Sequence, residues 1–181
     1  MEQNELYHLS AVSELCSDGK LLTEYPHKVP ILYRWWFPKN SKVVAVLFDY
    51  VQSHKEDVVM KQMLSRIIPE RFGNTEYYCL YLGKGINGRR RFKNHINPRK
   101  RTSTLRRTIS ALLQTEDENA ISAELMQCYY EWKELSCDNG ELENQEVAAI
   151  ADGNYPLNLK ENEKISSTWK AFLQHHRKVM R

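Results

Sequence analysis

The most constraining feature of this sequence is the stretch Glu76–Arg101, EYYCLYLGKGINGRRRFKNHINPRKR. It starts as an apolar, aromatic run that reads as a buried strand, and turns within a few residues into cations around one His. A buried strand that ends in a cationic helix must sit where the core meets an anion-facing surface. Between Lys84 and Arg107 there are ten Lys/Arg and no Asp or Glu, leaving 16 cations against 23 acids elsewhere, a net of −7. A basic surface on an otherwise acidic chain calls for a polyanionic partner. Solvated faces usually mix signs, so the alternative of a merely solvated face is the weaker one.

The 181 residues, 41% hydrophobic, provide for one core rather than two. Apolar runs such as Val43–Phe48 fall far short of the ~20 residues a membrane span needs, so no membrane partner is expected. The start, MEQNELYHLS, is acidic and polar and does not read as a secretory signal. Cys16, Cys79, Cys128 and Cys137 form no CxxC pair and read as reduced thiols of a cytoplasmic protein.

Residues 1–28 read as an N-terminal extension, with LSAVSELCSDGKL as a short helix stopped at Asp18-Gly19. Ile31–Phe37, bounded by Pro30 and Pro38, is an expected strand, and KVVAVLFDYV a second one, buried on both sides. HKEDVVMKQMLSRIIPERF has helical spacing. Gly83, Gly85 and Gly88 are expected to form a turn that aims a helix N-terminus at the site. GRRRFKNHI and STLRRTISALLQ read as helices, CYYEWKEL as a strand and GELENQEVAAIADG as a helix stopped by Gly153. Residues 161–181 read as a docking helix with Trp169, Phe172 and Leu173 on one face.

Ile31-Leu32-Tyr33, Tyr81-Leu82-Gly83, Arg91 and His95, then Glu146 and Asn158 resemble the motifs of the GIY-YIG nucleases. Arg91 lies ten residues after Tyr81, and His95 is four beyond Arg91, on one helix face. EVAAIADGNYPLN is similar to the family's closing motif, a helix with a metal-binding Glu and a Pro-Leu-Asn tail. Two departures stand out: the first triplet lacks its Gly, and about residues 38–75 intervene as an insertion, expected to fold outward from a strand hairpin. The domain would span residues 29–160.

The resemblance implies an α/β (α+β) fold, with a small antiparallel sheet of about three core strands flanked by helices. It implies an endonuclease that hydrolyses DNA phosphodiesters with Mg²⁺ or Mn²⁺. Tyr33 would be the base, with Tyr81 as the other phenol in reach and His95 orienting or relaying. Arg91 would clamp the phosphate, Glu146 would hold the metal, and Gly83 and Asn158 would support the site. Lys84, Arg89, Arg90, Lys93, Arg99, Lys100, Arg101 and Arg106 are the candidate DNA-contacting cations. The chemistry fits the residue types. A carboxylate is a hard ligand for Mg²⁺, a guanidinium matches a phosphate, and a phenol with pKa near ~10 becomes a base when cations lower it. No small-molecule ligand is expected. Taken singly, the tyrosines fit strand positions, His95 a surface site, Glu146 a solvated helix and Asn158 a turn; the joint spacing carries the reading. The alternative is a catalytically weak nucleic-acid-binding module on the same fold, and a more distant one an adaptor whose basic helix meets an acidic protein.

Overall fold

The computed structural model describes residues 7–98, 103–160 and 162–179. The elements are β1 (Tyr7–Ala11), α1 (Val12–Leu15), β2 (Cys16–Ser17), β3 (Lys20–Leu21), β4 (Ile31–Pro38), α2 (Lys42–Ser53), α3 (Val58–Ser65), β5 (Glu70–Phe72), β6 (Thr75–Gly85), α4 (Gly88–Ile96), α5 (Thr104–Leu113), α6 (Glu118–Met126), β7 (Tyr129–Glu134), α7 (Asn139–Asp152) and α8 (Ser167–Val179). The main sheet is antiparallel, in the order β1-β7-β4-β6-β5. Its centre is the expected three strands, β7, β4 and β6, with short strands at both edges. The fold is the α+β one that the motifs implied.

The central strand β4 alternates buried Ile31 and Tyr33 with half-buried Leu32 and Arg34, and from Trp35 to Pro38 it is buried on both faces. Ile31, Tyr33, Trp35 and Phe37 enter the larger core with residues of α2, α4, α5 and α8. Trp36 joins Cys79, Leu82, Ile150 and Tyr155 in a smaller core that includes α7. Along β4 and β6 the register places Tyr33 opposite Gly83 and Trp35 opposite Tyr81, with an irregularity between Trp35 and Trp36. Both tyrosines of the two triplets therefore stand side by side on one face.

Three local expectations are corrected. KVVAVLFDYV is the helix α2, not a strand. Its buried residues Val43, Val44, Leu47 and Tyr50 follow helical spacing, and Ser41 caps it by accepting from Val44 N–H. The buried Glu124 carboxylate, 82 positions on, accepts from Lys42 N–H at 3.1 Å. Tertiary packing and these caps outweigh the β-preference of the valines. Second, the insertion does not hang outside: Val43, Val44, Leu47, Met60, Met63 and Leu64 are part of the main core. β4 and β6 nevertheless pair directly across it. Third, the N-terminal helix is only the single turn α1, and Tyr7–Ala11 before it is an edge strand on β7.

Candidate active site

Gly83 and Gly85 lie within β6, and Gly88 opens α4. None of them is in the left-handed region, where the glycines are Gly19 and Gly73. Their role is close approach rather than turning, which corrects the expected glycine turn. A Cβ at residue 83 would meet the Tyr33 phenol, with Cζ at 2.6 Å. One at residue 85 would come within 2.7 Å of Arg91 Cβ. The two glycines make the space that the phenol and the arginine fill.

Asn87 caps α4 by accepting from Arg90 N–H at 2.9 Å. Gly88 N–H and Arg89 N–H donate to the carbonyls of Val29 and His27. The start of α4 is thus satisfied by the protein itself and offers no open anion site, against the expectation from sequence. One turn along, the helical period brings Arg91 and His95 to the same atom. Arg91 Nε donates to Tyr33 Oη at 2.9 Å, and His95 Nε2 lies 2.7 Å from that oxygen. His95, fully buried, places Nδ1 2.7 Å from Ser103 Oγ. Ser103 caps α5 and already accepts from Arg106 N–H at 3.2 Å. Both ring nitrogens of His95 are thus engaged, and since Ser103 Oγ and Tyr33 Oη can each donate or accept, one nitrogen carries the proton toward one hydroxyl while the other accepts.

Burial pushes the Tyr33 phenol well above its usual 10, with neighbouring Tyr81 adding to the rise and Arg91 opposing it. Tyr81 is raised for the same first reason, again opposed by Arg91. The two phenols in turn hold Arg91 firmly charged, Tyr33 most strongly. Burial, then Arg91 and Arg106, drive His95 well below 6.5, so the ring is neutral near pH 7.

Tyr81, Lys84, Arg91, Glu146 and Asn158 line one cleft of about 280 Å³, with Thr104 and Lys160 also on its walls. Asn158 braces it: Oδ1 accepts from Leu82 N–H at 3.0 Å, and Nδ2 donates to Leu82 O at 2.7 Å. Lys84 Nζ lies 3.4 Å from Glu146 and 3.3 Å from Glu143. The acid-free basic stretch thus receives its counter-charges from other elements. Glu146 is the cleft's carboxylate, and among the described residues no three His, Cys, Asp or Glu form a metal cage. That donor set fits a hard divalent cation held through one carboxylate and completed by water and substrate oxygens.

The remaining candidate cations divide. Arg90 and Lys93 are exposed on α4. Arg89 instead ties down the N-terminal loop, donating to Thr23 O at 2.9 Å and Glu24 O at 2.5 Å. Arg106 is 3% exposed and bound to Glu118, to Ser122 Oγ and to His95 O at 3.0 Å. It is a structural cation, and its expected contact with DNA is corrected. Arg99, Lys100 and Arg101 lie outside the described residues. Ser103 is not among the site residues that the sequence suggests, and nothing in its spacing shows that it holds His95.

The hairpin of two tyrosine triplets, the Arg/His helix and the Glu/Asn closing segment come together on an α+β scaffold. The chain belongs to the GIY-YIG family: residues 31–179 match the family model described as the GIY-YIG catalytic domain, which is one of endonucleases that generally depend on divalent metal. No curated protein and no solved structure matches the chain. No helix among the described residues is long and apolar enough to cross a membrane.

Proposed function

We propose that this protein is a metal-dependent DNA endonuclease that hydrolyses phosphodiester bonds in the cleft between α4 and α7. The observation that carries this is Tyr33 Oη, held by Arg91 and His95 beside a cleft that contains Glu146. Arg91 Nε–H, and His95 Nε2–H once the phenol is ionised, stabilise the phenolate against the burial that raises its pKa. Tyr33 as phenolate takes the proton of the attacking water. His95 stays neutral and keeps Nε2–H on the phenol oxygen, with Ser103 holding the ring. Arg91 has guanidinium donors beyond Nε for the phosphate oxygens, where charge grows in the transition state. Tyr81 lines the same wall and orients water or phosphate. Glu146 would hold Mg²⁺ or Mn²⁺, which supplies charge neutralisation at the phosphate and the leaving oxygen. Exposed Arg90 and Lys93 grip the DNA backbone, positioning it without reading sequence.

Plasmid nicking with Mg²⁺ or Mn²⁺, beside EDTA and a Glu146→Gln variant, tests this. Nicking is expected only in the wild type with metal. Glu146→Gln keeps the shape, removes a negative charge from the cleft, and is expected to bind DNA at least as well as the wild type. Full-rate nicking by Glu146→Gln, or in EDTA, would remove the metal role. DNA binding without nicking under any metal would leave the binding-module reading in its place.

A further inference from the structure

Helix α8 packs on α5, with Trp169 and Leu173 fully buried. Trp169 Nε1 donates to Pro156 O at 2.8 Å, which ties α8 to the segment that carries Asn158. One turn beyond Leu173 on the same face is Arg177. Its Nη2 donates to Thr108 Oγ1 and comes to 3.5 Å from Thr104 O. Its Nε is buried and has no hydrogen-bond partner among the described residues. No carboxylate among them pairs with it either; its charged neighbour is Arg107. Burial, with Arg107 adding to it, pushes the Arg177 guanidinium down to about 10, while Tyr81 opposes the shift.

An arginine taken partly out of water without an acid is costly to the fold. Among the described residues no acid relieves that cost, yet the position of Arg177 is specific. Thr104, whose carbonyl it approaches, is a wall of the same cleft as Tyr81, Arg91 and Glu146. Among the described residues the counter-ion is therefore missing beside Thr104, a wall of the proposed active site, where a phosphodiester would supply it.

We propose that Arg177 is a phosphate-binding residue of this cleft, taking a DNA phosphate next to the scissile one on the α5 side. The inference rests on the endonuclease reading and assigns the C-terminal helix a part in substrate binding as well as in packing. Its tether to a single threonine hydroxyl and a distant carbonyl leaves the guanidinium free to turn toward a phosphate.

The test compares wild type, Arg177→Met and Arg177→Lys, each as the full chain. DNA affinity is read by fluorescence anisotropy on a short duplex in EDTA across a salt series, and thermal unfolding and nicking kinetics are measured in parallel. Arg177→Met is expected to weaken binding about tenfold, the scale of one charged hydrogen-bonding contact. The log–log salt slope should become shallower by about 0.9, the value for one phosphate contact. KM should rise more than kcat falls, and Tm should equal or exceed that of the wild type, because a buried, acid-less charge has been removed. Arg177→Lys should recover part of the affinity. Wild-type affinity and slope in Arg177→Met would overturn the proposal while leaving the nuclease reading intact. So would a lowered Tm with full affinity below the transition, since that assigns Arg177 to packing. A wild-type protein that does not bind DNA would overturn both.

Discussion

Two arginines leave water on the two sides of α5, and their surroundings differ. Toward α6, Arg106 meets the Glu118 carboxylate, Ser122 Oγ and the His95 carbonyl, so both its charge and its donors are used. Toward α8, Arg177 has one threonine hydroxyl, a long contact to a carbonyl and an unused Nε. The first region is a closed polar shell behind the site, and the second lies beside Thr104, a wall of the cleft. A buried cation whose account closes within the chain is part of the fold. One whose account stays open marks where an outside anion belongs. The closed side also serves the open one, because Arg106 holds the backbone of His95, and the His95 ring holds Tyr33.

The strongest way to break this contrast is at Arg91, the cation shared by the buried network and the cleft. Arg91→Ala should lower single-turnover nicking by ~100-fold or more, about 3 kcal/mol of transition-state stabilisation, with the far-ultraviolet spectrum unchanged. A variant that cuts at the wild-type rate would detach the cleft from the chemistry. The next effect lies on the closed side. Arg106→Met should cost about 2–3 kcal/mol in urea unfolding, because Glu118, Ser122 and the His95 carbonyl lose a charged partner together. If stability stays at the wild-type level, the polar shell around Arg106 is not holding the fold.

Titration sharpens the contrast further. The Tyr33 phenol is raised well above 10, and the proposed base is its ionised form. The active fraction therefore grows with pH everywhere below that pKa, about tenfold per unit. Nicking should climb with a slope near one into the alkaline range, and Tyr33→Phe should lose both the slope and the rate. A rate that falls as pH rises past neutrality would exclude Tyr33 as the base. The smallest effect is expected at the exposed pair: Arg90→Gln with Lys93→Gln should change stability by less than about 0.5 kcal/mol. The DNA salt slope should still become shallower by roughly one to two. An unchanged slope would move the DNA path off this face of α4.

Much of the site was legible because it is written in local periods. Arg91 and His95 are one helical turn apart, so their convergence follows from the pitch of α4 before any partner is known. The two tyrosines lie within aromatic, largely apolar strands, and the strands pair in spite of the insertion. Glu146 and Asn158 come from the resemblance of EVAAIADGNYPLN to the family's closing motif, and both line the cleft. The reading failed where a residue's role depends on a distant neighbour. The valines of α2 looked like a strand because nothing nearby reveals that Glu124 caps their first turn. The glycines after Tyr81 looked like turn formers because their real partners, the Tyr33 ring and Arg91 Cβ, come from packing.

By itself, then, the sequence determined the strand and helix that carry Tyr33, Tyr81, Arg91 and His95, and the surplus of cations behind them. Only the tertiary structure decided which cation is neutralised and by what. Glu118 reaches Arg106 from α6, Glu143 and Glu146 reach Lys84 from α7, and Arg177 meets no carboxylate among the described residues. The reason is physical: backbone periodicity is set within a few residues, whereas Coulomb and hydrogen-bond partners are set by distance in space, whatever the separation along the chain.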